Sequence, residues 1–219
     1  MKVAIVLSGC GQHDGSETHE VILTLLSLDQ EGIAWDAFAP DIQAPVINHL
    51  TEKANAIESR SVLQESARLV RGHIQPLDQL MVSDYDAIIF PGGFGAVTIL
   101  CDWFEKKSSF QFNADVARVI DEAKMQRKPM GFICIAPMMI PKIYPGAQFT
   151  IGNDASIAME IKTMGCKHID CAADDIVIDE QHKIVSTPAN MVATNINQVY
   201  TGIKKLVQTL KRMSIGYET

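Results

Sequence analysis

Short apolar runs alternate with segments of helical period along this chain. Residues 2–7 form the first apolar run and read as a strand. Ser16 can cap a helix that carries Val21, Ile22, Leu25, Leu26 and Leu28 on one side and stops at Gly32. Residues 33–38 read as a second strand, and residues 61–71 as an amphipathic helix closed by Gly72. A buried strand follows at 86–90. Asn113 can cap a helix that turns Val116, Val119, Ile120 and Ala123 inward, and Pro129 follows its end. Residues 129–133 are again an apolar strand, and 136–143 are compatible with a helix. Beyond it the pattern loosens. A short strand at 148–151 and a helix at 154–164, ending at Gly165, precede a hairpin formed by 175–179 and 183–186. Thr187 as cap and Pro188 at the first helical position would then open a last helix striped by Ile196, Val199, Ile203, Leu206 and Leu210. Strands alternating with helices predict an α/β fold: a mostly parallel sheet with helices on both faces. Ligands in such folds bind beyond the carboxyl ends of the strands.

Two motifs lie at such ends. In Gly131-Phe132-Ile133-Cys134-Ile135-Ala136-Pro137 an apolar strand runs into a cysteine and then a helix. A sharp elbow of this kind raises a nucleophile above the sheet, with a helix N-terminus behind it. The expectation is a lowered thiol pKa at Cys134. The competing reading is a small buried hydrophobe, the usual fate of a free cysteine. In Asp86-Ala87-Ile88-Ile89-Phe90-Pro91-Gly92-Gly93-Phe94-Gly95 a strand enters a glycine-rich turn. Backbone N–H groups at Gly92 and Gly93 could hold an oxyanion. An ordinary tight turn is the alternative, and the pairing with the cysteine elbow favours the chemical reading. A third segment, Asp14-Gly15-Ser16-Glu17-Thr18-His19-Glu20, follows the first strand and can bring Glu17, His19 and Glu20 near the elbow. Glu17 and Glu20 share a helix face.

Composition narrows the partners. The chain has 219 residues, 47% of them hydrophobic, and no linker-like stretch divides it, so residues 1–219 read as a single domain. A net charge of −7 argues against nucleic acid and anionic membrane as partners. The first apolar run is too short for a signal sequence, and no apolar run is long enough to span a bilayer. Five cysteines without disulfide or zinc-ribbon spacing fit a reducing compartment. Cys166, His168 and Cys171 could hold zinc, but strand alternation would scatter them over two faces and no fourth ligand is near.

The glycine turn, the cysteine elbow and the early acidic helix resemble the ThiJ/PfpI branch of the class I glutamine amidotransferase-like superfamily. Ser8-Gly9-Cys10-Gly11, Asp14-Gly15-Ser16-Glu17, Val46-Ile47-Asn48-His49-Leu50, Pro141-Lys142-Ile143 and Thr187-Pro188-Ala189 resemble, almost end to end, the ElbB family of isoprenoid-biosynthesis-associated, glyoxalase-like proteins. The resemblance implies a flavodoxin-like, doubly wound fold, a homodimer and weak conversion of glyoxal to glycolate; the reducing compartment is read as the cytoplasm. It implies no cofactor and no metal, with a small aldehyde as substrate. It makes Cys134 the nucleophile, Glu20 the family carboxylate, Glu17 a second acid one turn earlier, and the N–H groups of Gly93 and Ile135 the oxyanion donors. Cys10 and His19 are further pocket candidates. Many amidotransferase-like relatives carry a histidine soon after the elbow; here residues 149–154 contain none, which weakens a Cys-His-Glu triad. Three classes remain: a dicarbonyl enzyme, a disfavoured glutaminase, and a non-catalytic redox sensor.

Overall fold

The computed structural model describes residues 1–215. In chain order the regular elements are β1 (Lys2–Val6), α1 (Thr18–Gln30), β2 (Ala34–Ala39), β3 (Gln43–Asn48), β4 (Lys53–Ser61), α2 (Val62–Leu69), β5 (Ile74–Pro76) and β6 (Ala87–Phe90). They continue with α3 (Gly95–Thr98), α4 (Trp103–Lys106), α5 (Ala114–Met125), β7 (Met130–Ile133), α6 (Ile140–Ile143) and β8 (Gln148–Phe149). The last are α7 (Ala155–Thr163), β9 (Lys167–His168), β10 (Val177–Asp179), β11 (Ile184–Thr187) and α8 (Ile196–Ile215).

Seven strands form the main sheet in the order β10-β11-β7-β6-β1-β2-β5. All neighbours are parallel except β10 on β11. Helices cover both faces, as the alternating pattern predicts. After β1 the chain builds outward through β2 and β5, then returns to place β6 on the other side of β1. That reversal opens a crevice at the carboxyl ends of β1 and β6. The strands β1, β6 and β7 are buried on both faces, which explains their continuous rather than alternating apolar runs. Phe90 and Phe132 are register partners on β6 and β7, and their rings stack with centroids 5.0 Å apart. This pair locks the two strand ends from which the glycine turn and the cysteine elbow emerge.

Several expected elements differ. Glu17, not Ser16, caps α1; its carboxylate accepts the Glu20 N–H. Ser16 is wholly buried, and its hydroxyl is occupied by the Ser8 N–H and the Ser8 hydroxyl. The buried stripe of α1 is Glu20, Val21, Thr24, Ser27 and Leu28, whereas Ile22 and Leu26 face outward. Thr24 and Ser27 can be buried because their hydroxyls donate to helix carbonyls at Glu20 and Leu23. After Cys134 comes one 3-10 turn (Ala136–Met139) and the short α6 rather than one continuous helix. Thr187 ends β11, and its hydroxyl donates to the Asp175 carbonyl rather than being free to cap. Helix α8 therefore starts at Ile196, with the Asn195 side chain accepting the Gln198 N–H. The β3–β4 hairpin and β5 have no counterpart in the sequence reading. The hairpin holds Leu50 and Ile57 almost fully exposed, and its buried face is marked only by Ala44 and Val46, too short an alternation to stand out in sequence. The Asn113-capped helix, the 177–187 hairpin and the Asp154-capped helix form close to where the pattern places them.

Helix α8 packs on α1, β7 and β11 through Val199, Ile203, Leu206 and Leu210. Leu206 is fully buried, so Leu206→Ala should lower unfolding free energy by roughly 2–5 kcal/mol, read from urea denaturation.

Candidate active site

The site is assembled where three strand ends meet. The loop leaving β1 lies on the glycine turn leaving β6. Phe94 N–H donates to the Gln12 carbonyl, Gly95 N–H to Gly15, and Glu17 N–H to Gly92. At Gly92 there is no room for a side chain: a Cβ would stand 2.4 Å from the Cys134 Cβ and 2.5 Å from Glu20 Oε2. Gly93 adopts φ +91°, which aims its N–H into the site. Cys134 itself has φ +62°, a strained conformation for a side chain of this kind, between the end of β7 and the 3-10 turn. Its N–H is held by the Thr187 carbonyl at 2.9 Å. The elbow predicted from the sequence is present.

Glu20 is completely buried, and Cys134 and Glu17 are nearly so. The Glu20 carboxylate accepts the Gly92 N–H at 3.0 Å and the Asn190 side-chain amide at 3.0 Å, while the Asn190 N–H approaches at 3.4 Å. The Cys134 thiol is its remaining partner. The same Asn190 amide reaches Glu17 at 3.1 Å, so one side chain ties both acids together. Glu17 also meets the ring of His19 at 3.2 Å. Its hydrogen-bond partners are donors, while Glu17 brings a like charge. When Glu20 is ionised, the arrangement is a thiol donating to a carboxylate, with one proton between two buried acids.

Burial first, and the charge of Glu17 second, raise the Glu20 pKa to about 7 against the opposing hydrogen bonds of Asn190 and Cys134. The thiol departs from the expected direction: burial, then the charge of Glu20, push Cys134 well above the ordinary cysteine value, although the N–H groups of Gly93 and Ile135 donate to its sulfur and pull the other way. The expected lowering fails for a physical reason. The segment behind Cys134 is a single 3-10 turn followed by four helical residues, too short to sum peptide dipoles into a strong field. A buried carboxylate beside the sulfur outweighs it.

A pocket of about 360 Å³ opens over Cys134, Gly93 and Ile135. Glu17 and Asn190 line its acidic end; Phe94, Trp103, Phe104, Lys107, Ile157, Glu160 and Met191 form much of the rest. Gly92 is not the oxyanion donor expected, because its N–H is given to Glu20. Two pocket candidates do not join the pocket. The Cys10 thiol lines a separate crevice of about 20 Å³ against β3, β4 and α2, and burial raises its pKa. His19 is mostly exposed and reaches only Glu17, because α1 turns Glu20 inward and its neighbour outward. The Cys166–Cys171 cluster is also dispersed. The Cys166 thiol donates to the Tyr144 carbonyl, the Cys171 thiol to Ala172, and His168 Nε2 accepts the Ile151 N–H. Among the described residues, no group of three or more such side chains is arranged to hold a metal.

Asn190 escaped the sequence reading, although it directly follows Thr187-Pro188-Ala189. A single amide carries no motif, and only the strained turn at Ala189 (φ +45°) swings it over the acids. The aromatic wall of the pocket escaped for a similar reason, since Phe94 comes from the glycine turn and Trp103 and Phe104 from α4, and nothing local marks them as neighbours.

No family model matches the chain. It is 37% identical to the rat ES1 protein homolog, mitochondrial, over 97% of this chain and 84% of the relative. It is also 37% identical to human glutamine amidotransferase-like class 1 domain-containing protein 3, mitochondrial, over 97% of this chain and 83% of that protein. The chain belongs to the ES1 family of class 1 glutamine amidotransferase-like proteins. An Ehrlichia chaffeensis isoprenoid biosynthesis protein with an amidotransferase-like domain superposes with a TM-score of 0.91 at 29% identity, covering 97% of this ES1-family chain and 99% of the other. Drosophila melanogaster DJ-1beta shares the fold at 14% identity, with a TM-score of 0.57 and coverage of 98% and 96%. No described helix of the ES1-family chain is long and apolar enough to cross a membrane.

The raised carboxyl pKa has a stability consequence. Between the ordinary value of 4.5 and about 7, folded Glu20 keeps a proton that the unfolded chain loses. Stability therefore falls as pH rises through that window, and the full cost is present above it. Glu20→Gln should be more stable than wild type above pH 7, by on the order of 3 kcal/mol. The gap should close as pH falls towards 4.5 in urea titrations.

Proposed function

We propose that this chain is a cofactor-independent glyoxalase-type enzyme that converts small dicarbonyls to hydroxy acids. The observation that carries the reading is the buried Cys134–Glu20 pair, in which Glu20 backs the thiol and Cys134 lines a pocket beside two backbone N–H donors. Glu20 takes the thiol proton as sulfur bonds to an aldehyde carbon. The carbonyl electron pair moves to oxygen, where the N–H groups of Gly93 and Ile135 meet the charge. Protonation gives a hemithioacetal. The carbon-bound proton next to sulfur then leaves, and a proton is returned to the neighbouring carbon through an enediol, with Glu20 carrying it. The product is a thioester of the hydroxy acid. Water hydrolyses it, releasing the acid and restoring the thiol. One carbon is oxidised and its neighbour reduced, so glyoxal plus water balances glycolic acid without an external oxidant.

A raised thiol pKa supports this reading over peroxide sensing, which needs a standing thiolate. No histidine lines the pocket among the described residues, which supports it over a glutaminase triad. The five cysteines are all free, in keeping with a reducing compartment. We place the protein in the cytoplasm, in contrast to the mitochondrial names of its mammalian relatives.

Cys134→Ala should abolish glyoxal turnover, and Glu20→Gln should lower kcat by about a hundredfold or more. Steady-state glycolate formation measures both; full activity in Cys134→Ala would sink the reading. We also infer a homodimer. The outward-facing Ile22 and Leu26 on α1 support it. Sedimentation at micromolar concentration should give a dimer, and a monomer would refute it.

A further inference from the structure

We propose that the preferred substrates of the Cys134 pocket carry an anionic group, carboxylate or phosphate, held by Lys107 and seated against Trp103; the dicarbonyl part of this proposal rests on the function inferred above. Size is the first reason. At about 360 Å³ the pocket lies in the range that encloses ligands of many heavy atoms, and glyoxal would leave most of it to water. The wall away from Cys134 and Glu17 is largely aromatic and apolar, with Phe94, Trp103, Phe104 and Ile157. That wall suits a spacer between a reactive carbonyl and a second recognised group.

The second reason is charge. Lys107 is the pocket's cation. Its ammonium lies 4.1 Å from the Trp103 ring centre and 5.4 Å from that of Phe104. Asp102 is taken by Lys106 at 2.7 Å, and Glu105, the carboxylate nearest in sequence, forms no salt bridge with Lys107 among the described residues. Among the described residues Lys107 has no salt-bridge partner, and Glu160, the acid on the pocket wall contributed by α7, does not pair with it. The ring faces hold the ammonium without neutralising it, which leaves it available to an anion.

A further observation points to the same place. The backbone at Lys107 has φ +50°, a conformation that a lysine rarely adopts without compensation. It holds the ammonium over the Trp103 ring at the pocket wall, as a cation that an anion would complete.

The test uses matched neutral and anionic compounds. The kcat/KM ratio of 4-carboxyphenylglyoxal to phenylglyoxal should be high in wild type. It should fall by about tenfold or more in Lys107→Gln, as expected for loss of one charged hydrogen bond. Lys107→Arg should retain it, and Lys53→Gln, which removes the same charge from the exposed hairpin, should leave it unchanged. A second readout needs no turnover: protection of Cys134 from iodoacetamide by phenylacetate or phenyl phosphate, compared with neutral phenylacetamide. Anion protection that disappears in Lys107→Gln supports the proposal, and the stronger of the two anions identifies the group. Equal protection by the neutral amide, no protection by either anion, or anion protection surviving Lys107→Gln overturns it. If neither dicarbonyl is turned over while anion protection still depends on Lys107, the glyoxalase reading fails and the anion site stands.

Discussion

A carboxylate with no access to solvent sits at the centre of this molecule. Burying the charge of Glu20 without compensation would cost several kcal/mol, so the chain must bring donors to it. Three parts of the sequence do so: Gly92 from the turn after β6, Asn190 from the turn after β11, and Cys134 from the elbow after β7. The helix that carries Glu20 is oriented by the same demand. Its buried stripe runs through Glu20, Thr24 and Ser27, while Ile22 and Leu26, which a purely hydrophobic criterion would bury, face outward. Catalytic potential and helix orientation thus follow from one interaction.

Close approach is the second requirement. Glu20 and Cys134 can share a proton only because Gly92 between them has no side chain. The positive φ at Cys134 turns the thiol out of the strand line, and the Phe90–Phe132 stack keeps the two strand ends level. Strain at Cys134 and Ala189 is carried by a sheet whose central strands are buried on both sides. Rigid strands hold the backbone groups in place, and the loops at their ends supply the chemistry.

The pair also clarifies how a thiol with a raised pKa can act as a nucleophile. A standing thiolate is unnecessary when the base that accepts the proton is already in contact. Glu20, near pH 7 in its titration, is ionised often enough to accept the proton and acidic enough to return it. The histidine that serves this purpose in other cysteine sites has no counterpart lining this pocket among the described residues. Asn190 supplies orientation without a second titrating group.

Local patterning was sufficient to determine the ends of β6 and β7, the elbow at Cys134, the glycine turn, and the helices over 114–125 and 155–163. Each is encoded within about ten residues, by periodicity or by a residue whose backbone preference is strong. Glu20 was readable as a site residue chiefly through family resemblance, since the sequence alone favours it over Glu17 only by its place leading into the apolar helix face. Tertiary structure decided what depends on distant partners. It turned α1 so that Glu20 is buried and His19 is not, separated Cys10 from Cys134, and placed Asn190 between the two acids. It also reversed the expected shift at Cys134, because the thiol's ionisation depends on burial and on a carboxylate more than a hundred residues away, whereas the helix dipole inferred from the local sequence is weak.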